Sequence, residues 1–503
     1  MQNLSCMLEF HRRIRPDAEA IVYDGQRISY SNLYDRVLKL ADWLDKQGIG
    51  PDSIVALMMK NSPAFFEIKF ALSHLGAVSL PLNFRLASDE IQYITEHAGA
   101  CLLFADEELI ETTSDLTIPV IVMDEAKQGD TRHLSRESVG ADDRKISVHP
   151  RAPNDLFRLM YTSGTTDRPK GVTHSYENLY WKTIDHTIAL QLSAKDRLAV
   201  VGPLYHVGGF DLPGIGVLWL GGTIVLMRDF DPEQVLNTIA REKITGIWLA
   251  PVMTNAILAL DTVKQFDVAS LKWCIGGGER TPESRIRTFI EVFPNARYID
   301  GYGMTESVSG DTLMEAGYEI SKIGSTGRAT MHVELEIRDD EGNPLPPMEH
   351  GELCMRGETI TRGYWKDPER TAAAFWPGGW LRSGDVGYLD EDGFLFLTDR
   401  KKDMIISGGE NIASSEIERV LYEMPEVLEA AVIGKPDDQW GETPVAVVVV
   451  TPGSSLDIER LQSHCRQHLA RFKIPKELIL SDALPRNPSG KVLKRELRAT
   501  LVE

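Results

Sequence analysis

Cysteine is scarce in this chain of 503 residues. Five are present, Cys6, Cys101, Cys274, Cys354 and Cys465, and no two form a C-x-x-C pair. That scatter excludes a disulfide framework and offers no zinc site. Basic charge is also short: 54 Lys and Arg stand against 74 Asp and Glu, a formal net charge of −20. Nothing on so acidic a chain draws the phosphates of nucleic acid or of an anionic membrane from a distance, which excludes a general binder of either. No run of about 20 apolar residues occurs. The opening stretch, MQNLSCMLEFHRRIRPDAEA, carries charges throughout instead of an apolar signal core. There is no internal repeat and no low-complexity tract. The expectation is a soluble cytoplasmic protein with no nucleic-acid partner and no transmembrane segment, in which local basic sites hold any bound anion.

What is present is ample core material, 43% hydrophobic residues, in a length that corresponds to about two to four domains. Leu33, Val37, Leu40 and Leu44 mark a helical stripe, and Ile54 to Met59 reads as a buried strand. Ser62-Pro63 then looks like an N-cap followed by proline at the first helical position. Ala77 to Leu82 is a strand, Ser88 to His97 a helix and Ala100 to Ala105 a strand. This β-α-β alternation implies a largely parallel sheet with helices on its faces. After a Ser/Arg/Asp-rich stretch near 125–153 the pattern resumes, with strands at 222–227, 244–249, 271–275 and 296–300 and a helix from Asp231-Pro232 to about Lys243. Two of these strands run into glycine-bearing loops, Gly276-Gly277-Gly278 and Gly301-Tyr302-Gly303, where open α/β sheets bind their ligands. Residues 323–398 shift to short β segments and turns, an antiparallel subdomain. A boundary follows at Arg400–Asp403, and about 100 residues with their own helices (415–424, 458–472) and strand (445–450) complete the chain. The fold class is therefore α/β. It comprises a large N-terminal domain (1–399) of parallel α/β sheets plus a β-rich subdomain, and a small C-terminal α+β domain (400–503).

The stretch Tyr161 to Gly171, YTSGTTDRPKG, has the chemistry to wrap an oligophosphate. Its glycines let backbone approach an anion, its hydroxyls and amides donate, and its cations neutralise. It is no Walker P-loop, because Pro169 precedes Lys170 and Gly171 follows it. By composition alone it serves equally as a surface turn.

Six further segments follow it in order: PLYHVGGF (203–210), IGGGE (275–279), YGMTE (302–306), RSGDVG (382–387), TDRKKDMIISGGENI (398–412) and NPSGKVLKREL (487–497). Together the seven resemble the acyl-adenylate-forming family, whose members include acyl-CoA synthetases, peptide-synthetase adenylation domains and firefly luciferase. The resemblance runs over essentially the whole chain. It implies that ATP converts a carboxylic acid to an acyl-AMP, with release of pyrophosphate, and that a thiol then displaces AMP. The implied cofactors are ATP, Mg2+ and CoA.

Site residues follow from the same resemblance. Thr162, Ser163, Gly164, Thr165, Thr166 and Lys170 embrace the β- and γ-phosphates. Asp167 stands where many members have glycine, and leaves open whether its carboxylate faces the phosphates. Thr305 and Glu306 bind the α-phosphate and Mg2+. Gly278, Glu279, Tyr302 and Gly303 lie with the nucleotide, Tyr302 stacking on adenine. Asp385 accepts from the ribose hydroxyls and Arg400 makes a second ribose or phosphate contact. Lys491 is the catalytic lysine of adenylation. Lys402 is the hinge about which a mobile C-terminal domain turns. Gly408 and Gly409 then wall the pantetheine tunnel, and Glu410 meets His206, which otherwise closes that tunnel from the acyl pocket. Trp440, Phe472 and Arg85 are weaker candidates for CoA contacts.

The acyl-pocket candidates are His206, Val207, Gly208, Gly209, Phe210, Met253, Gly276, Gly277, Gly278, Gly301, Met304 and Ser309. They are small or apolar with no fixed cation, which disfavours a dicarboxylate. No aspartate opens the PLYHVGG segment and no carrier-protein segment is appended, so a standalone CoA ligase is preferred to an amino-acid-activating domain. The glycine run leaves depth for an extended chain, a slight lean to fatty acids, and a glycine floor also accepts flat aromatic acids such as benzoates or cinnamates. Acyl transfer to a carrier protein, a non-catalytic scaffold and a homodimeric assembly stay open.

Overall fold

The computed structural model describes residues 3–124, 133–135, 146–162, 168–277, 281, 283–401, 403–407, 410–437, 439–486 and 492–502. Two large sheets form the body. The first, with seven strands, runs in the order His133–Ser135, Val120–Asp124, Ala100–Ala105, Ile54–Met58, Val78–Pro81, Leu156–Thr162, Lys170–Ser175. Its pairs are parallel except the last, where Leu156–Thr162 and Lys170–Ser175 run antiparallel on either side of the phosphate-loop motif. The second sheet has nine strands. Its parallel centre is built from Glu19–Tyr23, Thr223–Leu226, Arg197–Val200, Gly246–Leu249, Trp273–Gly276 and Arg297–Tyr302. Strands expected from alternation alone are thus present, and the α/β reading holds.

The helix Tyr30–Lys46 buries Leu33, Val37, Leu40 and Leu44, the stripe its spacing predicts. The helix Pro63–Leu75 is different: every one of its residues is buried, Glu67, Lys69, Ser73 and His74 included. Proline occupies its first turn as expected, but Ser62 makes no side-chain cap hydrogen bond. The helix Pro232–Glu242 does have its aspartate cap, Asp231 accepting from the Gln234 amide.

Residues 334–400 form a five-stranded sheet in which every pair is antiparallel. Its last strand is Leu395–Arg400, and the next sheet begins at Ile405–Ser407. That final sheet has five strands, with Val427–Asp437 and Gly441–Val450 as its long hairpin. The expected 458–472 helix is shorter: Ile458–His468 is α-helical, and a separate turn covers Arg471–Lys473. No helix among the described residues is long and apolar enough to cross a membrane.

Candidate active site

The carboxyl ends of the parallel strands and the edge of the antiparallel sheet converge on one cleft. Lys170 starts the strand that leaves the phosphate-loop motif. Its Nζ lies 2.8 Å from Glu306 Oε1 and 2.5 Å from the Tyr364 hydroxyl, and that hydroxyl donates to the same Glu306 oxygen over 3.0 Å. Burial, with the Glu306 carboxylate beside it, pushes the Tyr364 phenol up, so it remains a donor. Thr162 ends the preceding strand, and its Oγ1 is buried without a hydrogen-bond partner among the described residues. A cation, a carboxylate and an unspent hydroxyl at one strand end suit phosphate oxygens and a hard divalent cation.

Beside this group, Asp385 accepts from the Tyr302 hydroxyl at Oδ2 over 2.7 Å and faces Arg400 Nε at Oδ1 over 3.3 Å. Each carboxylate oxygen has a second lone pair left for a diol. Burial and the neighbouring Asp385 charge raise the Tyr302 phenol, holding it as a neutral donor to that carboxylate. The cleft thus unites Thr162, Lys170, Tyr302, Gly303, Thr305, Glu306, Asp385 and Arg400 from four of the seven segments. Ser163, Gly164, Thr165, Thr166, Asp167, Gly278, Glu279, Lys402, Gly408, Gly409 and Lys491 lie outside the described residues. Glu410, Trp440 and Phe472 are exposed on the C-terminal side.

The PLYHVGGF segment forms a short turn of helix, Val207–Phe210, with His206 Nδ1 accepting the Gly208 N–H over 3.1 Å. Sequence reading missed the partner that fills the space in front of it. Trp248, on the strand Gly246–Leu249, lays its indole against Gly202 and Gly208: a Cβ on Gly202 would stand 2.6 Å from the ring, and one on Gly208 3.0 Å. A Cβ on Gly277 would lie 3.7 Å from Trp248 Nε1. The cavity left among Val201, Gly202, Gly208, Gly209, Leu212 and Trp248 is about 10 Å³, room for one water. Two of the expected wall positions face elsewhere. Gly276 makes room for Tyr298, whose hydroxyl would touch a Cβ there at 1.9 Å. Phe210 is wholly buried, stacked on Phe66 with ring centroids 5.3 Å apart.

Sequence reading also missed a buried ionic layer beneath the cleft. Arg158 Nη1 lies 2.8 Å from Asp211 Oδ2, both groups almost fully enclosed. Arg158 Nε donates to His174 Nδ1 over 2.9 Å. Lys69 Nζ sits 3.4 Å over the Phe210 ring with no hydrogen-bond partner among the described residues. Burial, then the Arg158 charge, drives the Lys69 ammonium well below the ordinary lysine range, while burial pushes the Asp211 carboxyl up. The sequence spacing of these residues carries no periodic signal, since Lys69 and Arg158 are lone polar positions in apolar runs and His174 lies in a polar stretch. Above them, the turn after Glu306 carries three successive left-handed residues, Val308, Ser309 and Gly310, at φ 63°, 68° and 66°. For a β-branched valine this conformation costs on the order of 1–3 kcal/mol.

Burial lowers His186 to about 3 and His206 to about 4, so both imidazoles are neutral near pH 7. Their folded values lie below the unfolded one, so the unfolded chain takes up the extra protons. This contribution to stability is whole above about pH 6.5 and is lost as pH falls towards about 4 for His206 and about 3 for His186. Urea unfolding across that window should show His186→Phe less acid-sensitive than the parent, by up to about 1.4 kcal/mol per pH unit. An unchanged slope would place that titration elsewhere.

Two family models match, the AMP-binding enzyme over residues 8–365 and the AMP-binding enzyme C-terminal domain over residues 416–491. The chain belongs to the AMP-binding enzyme family. This AMP-binding enzyme is an AMP-forming acid–thiol ligase that works with ATP, Mg2+ and CoA. It is 36% identical over 486 residues to a feruloyl-CoA synthase of Amycolatopsis sp, covering 97% of this chain and 96% of that protein. It is 33% identical over 503 residues to a long-chain-fatty-acid–CoA ligase of Mycobacterium tuberculosis, covering 99% and 98%. Among solved structures it resembles O-succinylbenzoate coenzyme A synthetase from Bacillus subtilis in complex with ATP and magnesium ion, with TM-score 0.89, 29% identity and full coverage of both chains. The residues at the cleft fit such a ligand set, a cation and orphan hydroxyl for phosphate and a carboxylate for the metal.

Proposed function

We propose that this AMP-binding enzyme joins an aryl carboxylic acid to CoA. The observation that carries the reading is Trp248. The run Gly276–Gly278 suggested depth for a fatty chain, but Trp248 from the neighbouring strand seats its indole on Gly202 and Gly208 and brings Nε1 to 3.7 Å from where a Cβ on Gly277 would stand. A flat ring can stack on an indole or slip beside it, whereas a long alkyl chain needs an open tunnel. The feruloyl-CoA synthase among the relatives supports an aryl acid, and the fatty-acid ligase keeps the alternative in view.

In this reading the acid's carboxylate oxygen attacks the α-phosphorus of ATP, the bond to pyrophosphate breaks, and pyrophosphate leaves. The CoA thiolate then attacks the acyl carbon and AMP leaves. Thr162 and Lys170 receive the β- and γ-phosphates with the loop 163–166. Thr305 and Lys491 stabilise charge on the α-phosphate. Glu306 would hold Mg2+, which when bound neutralises phosphate oxygens during the displacement. Asp385 and Arg400 hold the ribose, with Tyr302 at the adenine. Such catalysis is mainly positioning and neutralisation. Residues 1–399 hold ATP and acid, and residues 400–503 turn about Lys402 between the two half-reactions. Gly408, Gly409, Glu410 and Trp440 then face the pantetheine arm of CoA.

The test is AMP release with CoA across benzoate, cinnamate, indoleacetate, octanoate and palmitate. The best aryl acid should exceed palmitate at least about tenfold in kcat/KM, a difference of about 1.4 kcal/mol. Trp248→Ala should narrow that ratio by admitting the longer chain. Palmitate as the preferred substrate of the parent enzyme would refute the aryl reading and favour a fatty acid.

A further inference from the structure

The strained turn that carries Thr305 and Glu306 is held from below by three basic side chains outside all seven motif segments. His174 Nε2 lies 2.6 Å from the Thr305 carbonyl oxygen. His186 Nε2 lies 3.3 Å from the Ser309 carbonyl oxygen. Lys182 Nζ lies 3.3 Å from the Gly310 carbonyl oxygen and 2.7 Å from Asp311 Oδ1. Asp311 in turn accepts from the Ser307 hydroxyl. His174 ends up here because the strand Lys170–Ser175 continues the phosphate-loop hairpin, and Lys182 and His186 lie one helical turn apart on Tyr176–Ala189. All three are buried to within 1%.

The tautomer of His174 follows from its neighbour. Arg158 Nε can only donate, so His174 Nδ1 accepts and the ring proton resides on Nε2, aimed at Thr305. Burial and the Arg158 charge push the imidazole well below its ordinary range, so it is a neutral donor. The fit leaves no slack. A Cβ on Gly310 would stand 2.4 Å from His186 Nε2, and one on Gly303 would stand 2.2 Å from the Gly310 amide nitrogen. Three consecutive left-handed residues persist only where the surroundings over-determine them. Here the over-determination comes from side chains set against the carbonyls of Thr305, Ser309 and Gly310.

We propose that His174, Lys182 and His186 are positioning residues for adenylation: they set the turn that aims Thr305 and Glu306 at the α-phosphate and its metal, with Arg158 fixing the His174 tautomer. The proposal rests on the adenylation reading above, in which Thr305 and Glu306 touch ATP. It assigns the three no contact with substrate. A displacement of the turn by one ångström is enough to cost about 100-fold in a positioned reaction. The second half-reaction, in which the phosphate chain has already been cleaved, depends less on the metal carboxylate.

Acid-dependent ATP–pyrophosphate exchange, thioester formation from supplied acyl-AMP, and the thermal midpoint should be measured together. His174→Phe should lower the exchange kcat about 10- to 100-fold and raise the Mg2+ concentration for half-maximal rate. The KM for the acid and the rate from acyl-AMP should stay within about threefold of the parent. His174→Gln, which can accept from Arg158 and donate to Thr305, should recover most of the exchange. The double change Lys182→Met with Asp311→Leu removes a buried pair without leaving one charge alone, and should show the same selective loss. If His174→Phe keeps the parent's exchange rate, or if Phe and Gln lose both half-reactions in step with the thermal midpoint, the cradle is only structural and the proposal is overturned. A parent enzyme that shows no exchange with any acid overturns the adenylation reading instead.

Discussion

Lys491→Ala should abolish adenylation while sparing thioester formation from supplied acyl-AMP. The expected loss in ATP–pyrophosphate exchange is about 100- to 1,000-fold, the scale for removing one donor from a developing oxyanion. The reason is electrostatic. The pentavalent phosphorus gathers negative charge as the acid's oxygen arrives and pyrophosphate departs. A mobile ammonium on a long stem can bridge the carboxylate and the α-phosphate during that step only. Lys402→Pro is expected to act in the opposite sense, since proline restricts the backbone rotation of a hinge. It should leave exchange near the parent rate and lower thioester formation. Equal impairment of both half-reactions in both variants would refute a two-conformation cycle.

The second large effect concerns stability. Arg158→Met should destabilise the N-terminal body by about 3–5 kcal/mol, because it leaves the Asp211 carboxylate buried and unpaired. Lys69 cannot replace the lost partner, since its Nζ is held over the Phe210 ring, not against a carboxylate oxygen. Replacing both members, Arg158→Met with Asp211→Leu, should recover most of the loss, because a matched apolar pair removes the desolvation cost of both charges. Urea denaturation of the three proteins separates these outcomes. A double variant as unstable as the single one would mean that Arg158 acts through His174 more than through Asp211. In that case the turn over Thr305, not the ion pair, is what the guanidinium supports.

The same contrast divides what was legible in the residues from what was not. Periodicity located Ile54–Met58 and Ala100–Ala105 within a residue and marked the buried stripe of Tyr30–Lys46, because a buried stripe must repeat at the period of its element. It extended the 458–472 helix too far because the apolar spacing continues past His468, where the backbone turns extended at Leu469. The motif order singled out Lys170, Glu306, Asp385 and Arg400, and the fold sets Lys170 against Glu306 across 136 positions and Asp385 against Arg400 on adjacent strands. Tyr364 could not be found that way. It carries no motif and reaches Lys170 and Glu306 only because the crossing strand pairs Val172 with Tyr364.

By itself, then, the sequence determined the chemistry: glycines, hydroxyls, two lysines and two carboxylates at fixed spacings are what a phosphate chain, a metal and a ribose require, whatever the fold around them. The α/β class followed too, because burial on both faces of a parallel sheet leaves its mark in continuous apolar runs. Tertiary structure alone decided where Trp248 sits and what holds the Thr305–Glu306 turn. Arg158 and His174 face each other across one antiparallel hairpin, but His174 reaches Thr305 131 positions away, and Trp248 meets Gly202 and Gly208 from a separate strand. No local spacing encodes such a contact. It exists only once the strands have taken their order and two side chains compete for the same few cubic ångströms.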